Sequence, residues 1–360
     1  MASSLLIIVS LALYASSEIN AQVQPVPHRA TTPGPSAYRW TDVGTSSRFS
    51  TLQRPISAPQ LQHIRQSVCH LPDVKYAVCC QLNEIDPVKT LLPTDCGVTT
   101  DERISNGEAT GVFEFPWMAL LRYREFHGDV VDGCGGSLIN ERYVLTAAHC
   151  LKVKSKTLDH VRLGEHNKKT DVDCQARDED CAGPVLDVKV EQSIIHPQYN
   201  MPKFSNDIGL IRLRHAVKFQ DHIKPICLPV TADFQKMIFP RYILTGWGKT
   251  ENDQLSDVLQ KATLPRIDNE QCMQIFKRNQ LYITLTDKQM CAGGKGFVDS
   301  CRGDSGGPLG MVGKLNKAPR FIQFGVVSVG SNTCGTQNVP SIYTRVGQYM
   351  DWIVENLQPS

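Results

Sequence analysis

Long apolar runs are scarce in this 360-residue sequence, and their scarcity argues against a chain that crosses a membrane. The N-terminal stretch MASSLLIIVSLALYASSEINA holds one short apolar run, Leu5 to Ala15, with no acid before Glu18. That pattern predicts a secretory signal peptide over residues 1–21, cut between Ser16 and Ala21. Excess charge is missing as well. A formal net charge of +2 leaves no basic footprint for nucleic acid. The ten histidines show no metal-ligand spacing. Aromatic and branched side chains are few in residues 22–65, which are rich in Pro, Ser, Thr and Gln. Such a segment buries too little surface to fold, so a disordered linker is predicted there. The mature protein is expected to be soluble, secreted, and without nucleic-acid or membrane partners.

Cysteine is plentiful. Thirteen cysteines fit an oxidising compartment, and the odd count leaves at least one outside simple pairing. Cys69, Cys79 and Cys80 crowd into VCHLPDVKYAVCCQ, a small disulfide-containing unit at residues 66–82. Residues 83–103 read as a second spacer, with Cys96 in LLPTDCG. From Ile104 onward, short branched-residue-rich segments such as FPWMALLRY, IGLIRL, RYILTGWG and FIQFGVVSVG alternate with turn residues. Repeated short strands of this kind predict an all-β barrel or sandwich. One helix is predicted at the end, with Val346, Tyr349, Met350, Ile353 and Leu357 on a single face as core packing.

Three motifs carry chemistry: TAAHC with His149, SNDIGLIRL with Asp207, and GDSGGP with Ser305. A serine hydroxyl is a weak nucleophile at neutral pH. It needs a base to take its proton, and the base needs a third group to hold its tautomer. Alone, a histidine beside Cys150 reads as structural and an aspartate after Asn206 as a turn former. Together in one chain, the three supply nucleophile, base and orienting acid.

With these motifs, residues 104–360 resemble a trypsin/chymotrypsin-family serine protease domain. The resemblance implies two six-stranded antiparallel β-barrels with the active site between them, His149, Asp207 and Ser305 as catalytic residues, and an oxyanion hole from the Gly303 and Ser305 N–H groups. It implies Asp299 at the base of the primary specificity pocket, with Ser300 beside it, favouring Lys or Arg. Ser328 and Gly330 are expected to offer backbone hydrogen bonds to substrate. Two departures stand out: Val329, where an aromatic residue is common, and Ser341, where glycine is usual. Ser341 is expected to narrow the pocket. Arg103-Ile104 in DERISNG resembles a zymogen activation site, whose freed Ile104 amine would pair with Asp304. The implied disulfides are Cys96–Cys227, Cys134–Cys150, Cys174–Cys181, Cys272–Cys291 and Cys301–Cys334.

The AVCC ending, the spacer and the tethering Cys96 resemble the clip-domain serine proteases of arthropods, with a degenerate clip unit. That likeness implies an upstream trypsin-like activating protease, protein substrates, a serpin-type inhibitor, and a place in prophenoloxidase-driven melanisation or Toll-pathway proteolysis. Non-catalytic protease-homologue cofactors and digestive trypsins are the alternatives. No organic cofactor is required. The acidic loop GEHNKKTDVDCQARDEDC either holds a structural Ca²⁺ through Glu165 and the Asn167 backbone or is a solvated surface loop.

Overall fold

The computed structural model describes residues 87–98, 108–175, 180–250, 254–294, 299–330 and 339–359, together with backbone strands at 4–7, 21–26, 37–42, 68–71 and 74–81. The chain divides into two compact units, the first running to Thr90 and the second from Leu91. In the first, β1 (Ser4–Ile7), β2 (Ala21–Val26), β3 (Ala37–Asp42), β4 (Val68–Leu71) and β5 (Val74–Gln81) form one sheet ordered β2-β3-β1-β5-β4. Strands β2 and β3 fall within the stretch whose composition reads as a linker, where AQVQPV keeps a two-residue period. Cys69 lies on β4, and Cys79 and Cys80 on β5.

The second unit is built from two antiparallel barrels. Strands β7 (Met118–Glu125), β8 (Val130–Leu138), β9 (Tyr143–Thr146), β10 (Lys156–Leu163), β11 (Leu186–Ile195) and β12 (Gly209–Leu213) close in the order β10-β11-β12-β9-β8-β7. Register shifts in the β7–β8, β7–β10 and β11–β12 pairs bend the strands enough to shut the ring. The second ring comprises β13 (Arg241–Gly246), β14 (Gln260–Ile267), β15 (Gln289–Ala292), β16 (Pro308–Leu315), β17 (Ala318–Val329) and β18 (Ser341–Arg345). They run β13-β16-β17-β18-β15-β14, closed by the β13–β14 pairing, while β6 (Glu108–Ala109) adds outside β14.

Each barrel is filled by its inward residues. Leu121, Leu138, Leu145, Val161 and Leu210 are fully buried in the first; Tyr242, Leu244, Leu264, Phe324 and Tyr343 cluster in the second. Burying one such side chain contributes about 1.5–3 kcal/mol. Between the barrels, Trp117 at the foot of β7 stacks on Phe321 of β17, with ring centroids 5.1 Å apart. Ser137 donates to Gln323 Oε1 at 2.6 Å across the same seam. A buried ion pair, Lys261 Nζ to Glu114 Oε1 at 2.7 Å, ties the segment after β6 to β14. Val346, Tyr349, Met350, Ile353 and Leu357 are all buried, so the apolar face predicted at the C-terminus packs on the core. It does so through a 3-10 turn followed by the helix Met350–Glu355. Disulfides join Cys96 to Cys227, Cys134 to Cys150, Cys174 to Cys181 and Cys272 to Cys291. Cys301 is disulfide-bonded too, while Cys334 lies outside the described residues.

Candidate active site

His149 sits in the one-turn helix Ala148–Leu151 that follows β9. The Cys134–Cys150 bridge staples that turn to β8. Asp207, just before β12, is 1% exposed. Its Oδ1 accepts the His149 backbone N–H at 2.9 Å, and its Oδ2 meets His149 Nδ1 at 2.8 Å. One carboxylate therefore holds both the main chain and the ring of the same residue. With Nδ1 donating, Nε2 is left as the acceptor, the tautomer a general base requires. Both sulfurs next to His149 are committed to the disulfide, so Cys134, His149 and Cys150 offer no thiolate to a metal.

The second barrel completes the surroundings of Asp207. Ser328 Oγ donates to Asp207 Oδ2 at 2.5 Å, and Thr344 Oγ1 donates to the Asp207 carbonyl at 2.7 Å. The β17–β18 register shifts between Val327 and Val329, a bulge that places Ser328 out of the ladder and against Asp207. Sequence reasoning assigned Ser328 only a backbone role toward substrate and missed its hydroxyl. The available signal was one polar residue inside the apolar run VVSVG. Upstream, Asn206 is held left-handed at φ 54°, a conformation asparagine tolerates, and Tyr349 donates to its Oδ1 at 3.0 Å.

Ser305 occupies a tight turn. The Asp304 N–H donates to Cys301 O at 3.0 Å and the Gly307 N–H to Asp304 O at 2.8 Å. Gly306, at φ 79°, passes so close to β8 and β9 that a Cβ would strike Thr146 Oγ1 and lie 3.1 Å from Cys150 Sγ. The Ser305 carbonyl accepts the Gly135 N–H at 2.8 Å. These contacts seat the serine against the strand ends that carry His149. His149 Nε2 lies 3.6 Å from Cys150 Sγ, and among the described residues the Ser305 hydroxyl makes no hydrogen bond to the ring. Such bonds are often long in unliganded sites and tighten when substrate binds. Gly303, at φ 107°, would bring a Cβ within 2.9 Å of Gly248 Cα. Among the described residues, neither its N–H nor that of Ser305 has a protein acceptor.

Two further carboxylates lie behind the turn. Asp304 accepts the Gly248 N–H at 2.8 Å and the Cys301 N–H at 2.9 Å, and among the described residues it has no cationic partner. Burial pushes its pKa up to about 6 against those two bonds. Arg103 and Ile104 lie outside the described residues. Asp299 Oδ1 accepts the Ser300 N–H at 2.7 Å. Burial pushes Asp299 up to about 7, opposed by the Ser341 hydroxyl and the Ser300 N–H. Ser300 and Ser341 are both buried beside it, and Gly330 borders them.

In the acidic loop, Glu165 Oε2 takes Arg162 Nη1 at 3.3 Å, while its Oε1 is buried without a hydrogen-bond partner among the described residues. Burial raises the Glu165 pKa. Asp173 accepts the backbone N–H groups of His166 and Asn167, each at 3.1 Å. The Asn167 carbonyl accepts from Thr170.

This fold and this arrangement define a class. Residues 104–353 match the Trypsin family, and the chain belongs to it, among the clip-domain serine proteases of arthropods. It is 43% identical to "Serine protease grass" of Drosophila melanogaster over 269 residues, 73% of this chain and 70% of that protein. It is 44% identical to "CLIP domain-containing serine protease HP8" of Bombyx mori over 279 residues, covering 75% and 74%. "Phenoloxidase-activating factor 3" of Holotrichia diomphalia is 40% identical over 305 residues, covering 82% and 83%. The crystal structure of the Drosophila Grass clip serine protease of the Toll pathway superimposes with a TM-score of 0.67 at 39% identity, over 83% of this chain and 86% of that one.

Proposed function

We propose that the chain is the zymogen of a secreted serine endopeptidase, cut after Arg103, that cleaves protein substrates after basic residues. The observation that carries this reading is the two-bond grip of Asp207 on His149, which leaves Nε2 ready to accept a proton. In the proposed cycle, Ser305 Oγ attacks the substrate carbonyl while His149 Nε2 takes its proton. Asp207 stabilises the imidazolium. The N–H groups of Gly303 and Ser305 receive the developing oxyanion, where one donor is typically worth about 100- to 1000-fold in rate. Collapse of the intermediate breaks the peptide bond, with His149 returning the proton to the leaving amine. Water then repeats the sequence on the acyl ester and frees Ser305.

Activation rests on Asp304. Two amide bonds do not neutralise a buried carboxylate, and a newly freed Ile104 ammonium would. In this reading residues 1–21 are the leader, 66–82 the clip-like unit and 104–360 the protease. No described helix is long and apolar enough to cross a membrane. The relatives' names, which include the Toll pathway, melanization and phenoloxidase activation, favour an extracellular immune cascade with a protease activator, protein substrates and a serpin-type inhibitor. Calcium enters only as a structural ligand. Glu165 Oε1, buried and unpartnered among the described residues, is the oxygen fitted to meet it, and the Asn167 backbone would join it by giving up bonds from Thr170.

The test uses a fluorophosphonate probe on the full chain before and after cleavage by a trypsin-like protease. The cut chain is expected to label, its new terminus to read ISNGE, and Ser305→Ala to abolish labelling. A cut chain that stays unlabelled overturns the reading in favour of a non-catalytic homologue. Full labelling of an uncut Arg103→Gln chain overturns the zymogen.

A further inference from the structure

Among the described residues, four polar atoms close to one another are buried without a full hydrogen bond: Asp299 Oδ2, Ser300 Oγ, Ser341 Oγ and Tyr343 Oη. Their convergence is visible at Gly330. A Cβ built there would lie 3.2 Å from Ser341 Oγ and 3.5 Å from Ser300 Oγ. The Ser341 hydroxyl lies near enough to the Asp299 carboxyl to favour its charged form, and Ser300 lies likewise beside Tyr343, yet neither contact has the geometry of a full hydrogen bond. Buried polar atoms are normally satisfied, so an unpaired set in one place points to a ligand that brings the missing partners.

The shape of that set is selective. Asp299 Oδ1 is already occupied by the Ser300 N–H at 2.7 Å and backs onto Gly293, whose Cβ position would fall 2.8 Å from the carboxyl carbon. The carboxylate therefore presents its two oxygens unequally, with Oδ2 unpartnered and Oδ1 already engaged on one side and crowded on the other. A guanidinium is a flat fork that binds best to two parallel acceptors. An ammonium is a compact head with three donors and no acceptor, and it needs three separate oxygens. Asp299 Oδ2, Ser300 Oγ and Ser341 Oγ are three separate oxygens. The Tyr343 hydroxyl, behind Ser300, is placed to donate to it and leave a Ser300 lone pair for the ligand. Ser341 contributes twice: its oxygen is one acceptor, and its side chain takes up the width between β18 and Gly330 that a planar head requires.

We propose that Ser341 makes this a pocket for a primary ammonium, so that the enzyme prefers lysine to arginine at the position before the cut. The inference takes from the protease reading only the location of the pocket, and it is tested by binding as well as by turnover. The full chain, cut after Arg103, is titrated calorimetrically with n-butylamine and with n-propylguanidine. The amine is expected to bind about tenfold more tightly, the scale of one hydrogen bond to a charged group. Ser341→Ala keeps the carbon and removes the oxygen, so it is expected to weaken amine binding about tenfold without improving guanidine binding. Ser341→Gly also opens the width and is expected to reverse the order. Peptides that differ only in Lys or Arg should show the same ratios in kcat/KM. Tighter guanidine binding by the wild-type chain, or an order unmoved by Ser341→Gly, overturns the proposal. Selective amine binding by a chain that takes no fluorophosphonate would refute the nucleophile and uphold the pocket. Labelling with guanidine preference would do the opposite.

Discussion

Asp207 is the residue on which the two barrels meet chemically, touched by His149 from one and by Ser328 and Thr344 from the other. Asp207→Asn would present an amide where the Nδ1 proton needs an acceptor, and kcat is expected to fall about 10⁴-fold with KM little changed. Ser328→Ala removes a hydrogen bond to a charged group, about 1.5–3 kcal/mol, so a fall of about tenfold or more in kcat is expected from the same kinetics. Asp304 gives a pH signature. Its folded pKa of about 6 lies above the ordinary value of 3.8, so the intact chain holds an extra proton between the two. That contribution is fully present below the unfolded value and is lost as pH rises through the folded one. Pairing with Ile104 in the cut chain would remove the dependence. Melting curves should therefore show the cut form's advantage over the intact form shrinking from about pH 7.5 to about pH 5; a constant gap would refute the pairing. His149, Asp207 and Ser305 could be singled out from their short motifs because the chemistry needs those residue types. The Ser328 hydroxyl could not, because its direction depends on a bulge that only the β17–β18 register creates.

The strands were legible as elements. Segments such as YVLT and GLIRL are branched, apolar and bounded by turn residues, and they became β9 and β12. Period alone does not say which strand pairs with which, and the pairing of β13 with β16, Ile243 opposite Gly310, is a long-range register that no local pattern encodes. The two-barrel architecture came from resemblance, and the structure shows it. The loop between β10 and β11 was the least legible element, because an acidic stretch reads equally as ligand or as solvated surface. Its Glu165 Oε1, unpartnered among the described residues, supplies the test. Millimolar calcium is expected to raise Tm, at about 2–4 °C per kcal/mol of binding in a unit of this size. Glu165→Gln should abolish the rise. A wild-type Tm indifferent to calcium would mean that Arg162 and the Asp173 hydrogen bonds complete the loop unaided.

For the molecule as a whole, the bridge that matters most spans Cys96 and Cys227, 131 residues apart. The proposed cut after Arg103 falls between them, so the cut protein should run as one species unreduced and as two after reduction. Cys96→Ser is expected to release the N-terminal piece once cleavage has occurred; retention of that piece would show another attachment. Both cysteines are almost wholly buried, at 4% and 1% exposure. Shielded from passing thiols, the link would turn a peptide severed at Arg103 into a leash. A scissor that kept its handle after being unsheathed would go wherever the handle is gripped, so its reach would be governed by what recognises residues 22–95 as much as by what fits the blades.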